Sequence, residues 1–545
     1  SPQQTAEYLI HKEESMEQWN FYLSGILYGI CERPKDCVCH RPLDVHTGLF
    51  KEWEELTEDE TWYLELGKMD VRHILLKLPD YEAGISEVTK EKAARFTTPS
   101  GEIYERKSED SFVQRNIKFP VDLITEEGTV VAFVTPFRDQ CAVLVKEGFE
   151  DRTILNGWKT INETPLFTVK PPVTEMVAMR DNIRLATDIY LPEGAGRVPT
   201  VLVRTPYGKT IGTAAYYRFV QRGYAVVIQD VRGREDSEGE WLPMYYEVED
   251  GDDTLNWIAG QPWSDGGVSM TGGSYLGYVQ WAAAASGNPH LKAMLSNVCA
   301  GSPFVDVPRR GGCFNSGMLA WAFLVSGQHA NPELMARDDW DDVLNIRPLE
   351  ELAPKALGYD IPFLKKWLSH MDYDELWQRG NWKERTEASR VPALIMSGWF
   401  DDNGMGTTEA LELYRDYPEK KVILGPWLHS GNASYDPGGL ALGSNALRYD
   451  MDFICLAWLE HYLKGADNGI DRTPKAEYYT CGSNQWKTAS NWPVPETKEL
   501  VLYLDGSRED AAASNGGLLT TDSPVHESSH SYLYNPEDPA IHLID

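Results

Sequence analysis

The sequence predicts an α/β fold with a parallel sheet whose carboxyl edge carries the reactive groups, and three segments make that prediction. The first is VSMTGGSYLGYVQWAAAA, from Val268 to Ala285: a short β-prone stretch, two glycines, a serine, then a helical pattern opening at Tyr275. The second, VPALIMSGWFDDNGMG from Val391, is an apolar run that breaks into an acidic, glycine-bearing loop. The third, KKVILGPWLHSGNAS from Lys420, is another apolar run, ending in Gly425, Pro426 and then His429. Polar residues just past the carboxyl ends of such strands lie on the edge where sites of open parallel sheets assemble.

A serine on a tight turn between strand and helix, with small neighbours, reads as the nucleophile elbow of an α/β-hydrolase, which makes Ser274 the candidate nucleophile. The general pattern has a small residue two positions after the serine; here Leu276 stands there and Gly277 follows. Ser274, Asp401 and His429 occur in the chain order of α/β-hydrolase triads. A serine hydroxyl is a poor nucleophile at neutral pH, so His429 is assigned to take its proton and return it to the leaving group. Asp401 is assigned to accept the other imidazole N–H and fix the tautomer. Asp402 is the alternative acid; Asp401 is preferred because it directly follows the strand-ending Trp399 and Phe400, whereas Asp402 can begin the turn.

Further motifs extend the pattern: MRDNIRLATDIYLP from Met179, VLVRTPYGK from Val201, VVIQDVRGREDSEGEW from Val226, the long run from Glu249 through the elbow, GWFD at Gly398 and LGPWLHS at Leu424. On these six ordered motifs the chain resembles the CocE/NonD hydrolase family, which includes esterases, acylases and X-prolyl dipeptidyl peptidases, over residues 174 to 545. The family elbow commonly reads Gly-x-Ser-Tyr-x-Gly, which Gly272 to Gly277 match. The resemblance implies two oxyanion donors, the backbone N–H of Tyr275 and the phenol of Tyr207 in RTPYGK. Read without it, Tyr207 is an aromatic packing at a turn after a proline.

The resemblance also implies the layout: an α/β-hydrolase core over 170–465, a helical cap inserted at 304–385, and a C-terminal β jelly roll beginning at 470. The cap segments MLAWAFLVSGQH and FLKKWLSHMDYDELWQ have helical periodicity, and Trp321, Phe323 and Trp367 are by default packing residues. Short β-prone runs, AEYYTCGSNQW, KELVLYLDGS and HSYLYNPEDP, mark the C-terminal part. With only 76 residues from 470 to 545, it is expected to be an incomplete jelly roll.

The implied reaction is hydrolysis of ester or amide bonds of small acyl substrates through an acyl-serine intermediate. An X-prolyl dipeptidyl peptidase is the alternative, and a non-catalytic assembly protein on the same fold a further one. After the nucleophile helix, PRRGGCFNSG places Arg309, Arg310 and two glycines where a carboxylate would hold a substrate ammonium. That departure argues against a free α-amino handle. The arginines hint at a carboxylate-bearing acyl group, although arginines beside a glycine turn are ordinarily surface residues.

Residues 1–165 precede these motifs and form an α+β extension without a chemical motif. MEQWNFYLSGILYGI from Met16 and ETWYLELGKMDVRHILLKL from Glu60 carry apolar residues at helical spacing, and GTVVAFVTPFRDQCAVLVKEG from Gly128 reads as two strands around a turn. Homo-oligomerisation through this region, or partial cover of the site, is the expectation. At 545 residues the chain is long enough for two to four domains. Its 51 basic and 83 acidic residues give a net charge of 51 − 83 = −32, which argues against nucleic acid or an anionic membrane as partner.

No signal peptide or transmembrane span is expected, and the eight cysteines fit a reduced, cytoplasmic setting rather than a disulfide framework. No cofactor and no metal is expected. Cys31, Cys37 and Cys39 with His40 lack a second matching pair, and the acidic runs Glu249 to Asp253 and Asp338 to Asp342 lack a calcium-loop pattern.

Overall fold

The computed structural model of the chain describes residues 17–34, 36–385, 390–402, 404–505, 518–525, 533 and 535. The HSYLYNPEDP run from His530 and the chain's first sixteen residues, Met16 among them, thus fall outside the described residues, apart from Leu533 and Asn535. Among the described residues two large sheets dominate, an eleven-stranded one from residues 18–146 and a ten-stranded one from residues 173–489.

The N-terminal sheet is antiparallel throughout. Its first hairpin corrects the expected helix: Gln18–Leu23 and Ile26–Glu32 are strands joined at Ser24 and Gly25. The apolar residues Trp19, Tyr22, Leu23 and Ile26 are spaced as on a helix, yet Trp19, Phe21 and Leu23 alternate into the core at 1% exposure or less. The deciding signal is the pair Ser24 and Gly25, both left-handed (φ 48° and 74°), the conformation of a two-residue turn matched to strand twist. The helices expected from Glu60 onward form at Trp62–Gly67 and Val71–Leu76, followed by Leu78–Glu91. The two expected strands are Thr129–Phe137 and Gln140–Lys146.

The second sheet runs Val173–Ala178, Arg184–Tyr190, Ala225–Asp230, Val198–Thr205, Ser264–Ser274, Leu291–Cys299, Ala393–Gly398, Lys420–Gly425, Ala476–Thr480, Gln485–Ala489. From Ala225–Asp230 through Ala476–Thr480 every neighbouring pair is parallel, with antiparallel strands added at both ends. The strand at 476–480, read from sequence as part of the C-terminal domain, therefore extends the hydrolase sheet. Its buried Ala476 lies opposite Val422, which completes that edge. Beyond it, Tyr503–Asp505 pairs with Leu518–Thr520.

Strand alternation divides the core in two. Val201, Val203, Val226, Ile228, Leu295, Leu394 and Ile423 point to one face, where they join one continuous cluster with the N-terminal sheet and helix Met451–Lys464. Leu202, Val227, Met270, Met294 and Ile395 point to the other, beneath helices Glu247–Ala259 and Tyr275–Ala285 and the cap. The cap is a run of short helices from Ser316–Leu324 to Trp382–Arg385. The N-terminal sheet is also tied to the hydrolase by polar groups. Buried Asp122 accepts from Gln114 N and from the hydroxyls of Tyr435 and Tyr449 at 3.0, 2.6 and 2.5 Å, and Arg115 pairs with Asp436 at 2.7 Å.

Candidate active site

Strand Ser264–Ser274 ends by turning sharply into helix Tyr275–Ala285, and Ser274 sits at the junction with φ 59° and ψ −122°, a strained conformation for any residue but glycine. Two glycines make the turn feasible. At Gly272, with φ 137°, an added Cβ would come within 2.5 Å of Leu276 Cβ; at Gly277 it would meet Cys299 Cα at 3.0 Å. Gly277 thus lets the helix lie against strand Leu291–Cys299, which accounts for a glycine three positions after the serine.

His429 follows strand Lys420–Gly425, and Asp401 follows strand Ala393–Gly398. The structure brings Ser274, His429 and Asp401 together. His429 Nε2 lies 2.9 Å from Ser274 Oγ, and its Nδ1 lies 2.7 Å from Asp401 Oδ1. The Asp401 carboxylate is fully buried, its Oδ2 accepting from Ser397 Oγ at 2.7 Å, while 23% of the His429 side chain is exposed. Asp402 is adjacent but does not occupy the position facing Nδ1; burial raises its carboxyl above the usual range, against the field of His429. Asp401, Asp402 and His429 offer three ligand atoms within 4.8 Å of one another. Both His429 nitrogens are engaged by Ser274 and Asp401, the hydrogen bonding of a triad rather than of a metal ligand.

Tyr207 follows strand Val198–Thr205, and its half-buried phenol faces the elbow. The indole Nε1–H of Trp321 donates to its hydroxyl at 3.0 Å, and Ser274 is the other side chain that acts on it by hydrogen bonding. Burial raises the phenol above its ordinary range, so it is protonated at neutral pH. The backbone N–H of Tyr275 opens its helix, where first-turn N–H groups have no intrahelical acceptor. The Tyr275 ring is locked in place. Its hydroxyl donates to Glu247 Oε1 at 2.8 Å and accepts from Met244 N at 2.9 Å, and Trp321 stacks on it at 5.9 Å between centroids. Glu247, buried and bonded to Arg204 at 2.6 Å, and Ser397 are supporting residues that sequence reading missed, since nothing local marks them as neighbours of the elbow.

Arg309 and Arg310 are committed within the protein. Arg309 donates to the carbonyls of Gly312, Trp367 and Leu368, and Arg310 to Asp306 and to the carbonyl of Asp402. The carboxylate handle they hinted at is not offered by these two side chains.

A family model described as X-Pro dipeptidyl-peptidase (S15 family) matches residues 181–431, and one for the X-Pro dipeptidyl-peptidase C-terminal non-catalytic domain matches 468–543. The chain is 34% identical over 399 residues to a cocaine esterase of Rhodococcus sp. (strain MB1 Bresler), with 68% of each chain covered. It belongs to the CocE/NonD and S15 family of hydrolases. Two solved structures share this family's α/β-hydrolase architecture with it at 25% identity. An aminopeptidase of a marine sediment Thaumarchaeota archaeon has a TM-score of 0.51, with 62% of this chain and 61% of that one covered. An α-amino acid ester hydrolase has a TM-score of 0.50 and 59% of each chain covered. The chain thus spans less than two thirds of these two solved relatives. The two family models, at 181–431 and 468–543, leave the N-terminal sheet unmatched. Among the described residues no helix is long and apolar enough to cross a membrane.

Proposed function

We propose that this hydrolase cleaves ester or amide bonds of small acyl substrates through an acyl-enzyme on Ser274. The observation that carries the reading is the single imidazole bridging Ser274 Oγ and the buried Asp401 carboxylate at 2.9 and 2.7 Å. In the first half-reaction the Ser274 Oγ–carbon bond forms as His429 Nε2 takes the hydroxyl proton. The carbonyl oxygen becomes an oxyanion, met by the Tyr207 O–H and the Tyr275 N–H. Collapse breaks the bond to the alcohol or amine, which leaves with the proton from His429. Water then attacks the acyl-serine by the same route, releasing the acid and restoring Ser274. Asp401 stays ionised and stabilises the transient imidazolium. Apart from the substrate and the water, every group in this scheme belongs to the chain.

The test is intact mass after incubation with a small fluorophosphonate, on the natural chain and on Ser274→Ala. A single adduct absent from the variant is expected; no adduct on the natural chain defeats the reading and favours a non-catalytic assembly protein. Short-chain esters and Xaa-Pro amides assayed in parallel separate the esterase reading from the X-prolyl peptidase one, which the S15 match keeps open.

A further inference from the structure

The loop that carries His429 leaves the hydrolase sheet at strand Lys420–Gly425, and just past the histidine it is gripped by the N-terminal sheet. His429 itself lies in a turn closed by the Gly431 N–H on Leu428 O at 2.9 Å. The carbonyls that follow accept from the N-terminal sheet: Asn432 O from Arg138 N at 3.0 Å, and Ala433 O from Phe119 N at 2.7 Å. The Tyr435 hydroxyl donates to Asp122 at 2.6 Å. Asp436 accepts from the Arg115 guanidinium on Oδ1 at 2.7 Å and from the Asn116 N–H on Oδ2 at 2.8 Å. Arg115 reaches on to Leu442 O at 3.0 Å.

These partners come from two neighbouring turns. Arg115, Asn116, Phe119 and Asp122 belong to the hairpin of strands Ser111–Arg115 and Asp122–Glu126, and Arg138 to that of Thr129–Phe137 and Gln140–Lys146. The rings of Phe119 and Phe137 meet edge to face with centroids 6.3 Å apart, which ties the turns together. All three backbone donors are non-glycine residues in the left-handed region: Asn116 at φ 59°, Phe119 at 60° and Arg138 at 53°. Asparagine tolerates that backbone, but a bulky residue such as Phe119 adopts it only under strain.

Two packed sheets must satisfy their buried polar groups, and that need alone would explain scattered hydrogen bonds across the interface. It does not explain strained donors gathered on one loop. Strain of this kind persists where the surrounding structure over-determines it, and it gathers at functional sites. The side-chain partners are rigid as well: Arg115, Asp122 and Tyr435 are buried, and Asp122 is fixed by Gln114 N at 3.0 Å. The hydrolase adds a hold of its own, since the Asn432 side chain bonds the C=O and N–H of Arg448 at 2.7 and 2.9 Å. Yet Tyr449, the next residue, again donates to Asp122.

We infer that the N-terminal sheet sets the position of the base, with Arg115, Phe119, Asp122 and Arg138 as positioning residues that act on His429 through residues 432–436. This rests on the reading of His429 as the base of Ser274. The strand holds the loop on one side of His429 and the N-terminal sheet holds it on the other, which keeps the imidazole within reach of both Ser274 Oγ and Asp401 Oδ1. A displacement of about 1 Å at such a group lowers the rate on the order of 10²-fold.

Deleting the sheet would expose the shared core, so the test uses point variants of the full chain. Tyr435→Phe removes one buried hydroxyl that holds the loop. Tyr28→Phe removes another from the same interface, where its partner Gln221, at 2.5 Å, lies on helix Tyr217–Gln221, which carries no site residue. Both are expected to lower the thermal midpoint. Only Tyr435→Phe is expected to slow fluorophosphonate labelling and kcat, by about tenfold at a temperature well below either midpoint, with KM little changed. Arg115→Lys keeps a charge opposite Asp436 and is expected to retain more of the rate than Arg115→Met. Position is read separately, from the His429 imidazole resonance of protein made with isotopically labelled histidine, assigned by its loss in His429→Gln. That resonance is expected to move in Tyr435→Phe and Arg115→Met and to stay in place in Tyr28→Phe. A moved resonance in a chain that never labels supports the positioning role and sinks the acyl-enzyme reading alone. Rates and a His429 resonance that respond to Tyr435→Phe no more than to Tyr28→Phe overturn the positioning role.

Discussion

The Trp321 indole donates its N–H to the Tyr207 hydroxyl at 3.0 Å, which orients a proton on the far side of the site. A phenol that accepts one hydrogen bond has its own O–H free to turn elsewhere, and the Ser274 side is where a developing oxyanion would stand. Trp321 is held in turn by stacking on Tyr275 and Trp367, at 13° and 14° between ring planes. The cap thereby sets the rotor of a residue that belongs to the core.

Tyr207→Phe is expected to lower kcat by about 10²–10³ while leaving fluorophosphonate labelling intact. Trp321→Phe keeps an aromatic surface but loses the donor, and is expected to lower kcat by about three- to tenfold, the worth of one neutral hydrogen bond. In the double variant the Trp321 change adds little, because its effect runs through the phenol. Steady-state rates for the four proteins check this, and fully multiplicative losses would disconnect the two residues.

Asp401→Asn is expected to cost about 10⁴ in kcat by favouring the wrong imidazole tautomer, with geometry and stability little changed. Asp402→Asn leaves the bond to His429 Nδ1 in place and is expected to cost far less. Equal losses in the two variants, measured on the same ester, would contradict the assignment of the buried carboxylate.

Asp452, at the start of helix Met451–Lys464, is buried between the two sheets, and burial pushes its carboxyl up to about 7. Its folded pKa lies above the ordinary 3.8, so its contribution to stability is fully present below about pH 4 and is lost as pH rises through about 7. Asp452→Asn removes that dependence. The variant is expected to melt near the natural chain at pH 4.5 and above it at pH 8, by at most on the order of 3–4 kcal/mol. Thermal midpoints at the two pH values check it; a destabilised variant at pH 8 would show that the carboxylate is needed in its charged form.

Much of the site was legible because its chemistry sits where local pattern changes. Ser274, Asp401 and His429 each follow an apolar run that can only be a buried strand, and polar residues there face the open edge. Distant pairings were not legible. Glu247 and Ser397 support the site through contacts that no local pattern encodes, and Arg138 reaches residue 432 across 294 positions. The hairpin at residues 18–32 looks helical in sequence because Trp19, Tyr22, Leu23 and Ile26 satisfy a helical spacing by coincidence, while its one turn signal is confined to Ser24 and Gly25. That the strand Ala476–Thr480, inside the 468–543 match to the C-terminal domain, pairs into the hydrolase sheet was not legible, because strands that pair across a crossover carry no mark of which sheet receives them.

The single hydrophobic cluster shared by the N-terminal sheet and one face of the hydrolase sheet bears on how this chain can be divided. A recombination point near residue 165 would fall in a surface segment and look permissible, yet the catalytic half it released would present Tyr435, Leu447, Met451 and Ile454 to water, together with two tyrosine hydroxyls that had shared Asp122. In this protein the hydrolase is not a portable module: the antiparallel sheet is part of its foundations, and whatever varies or transfers the activity must carry both halves at once.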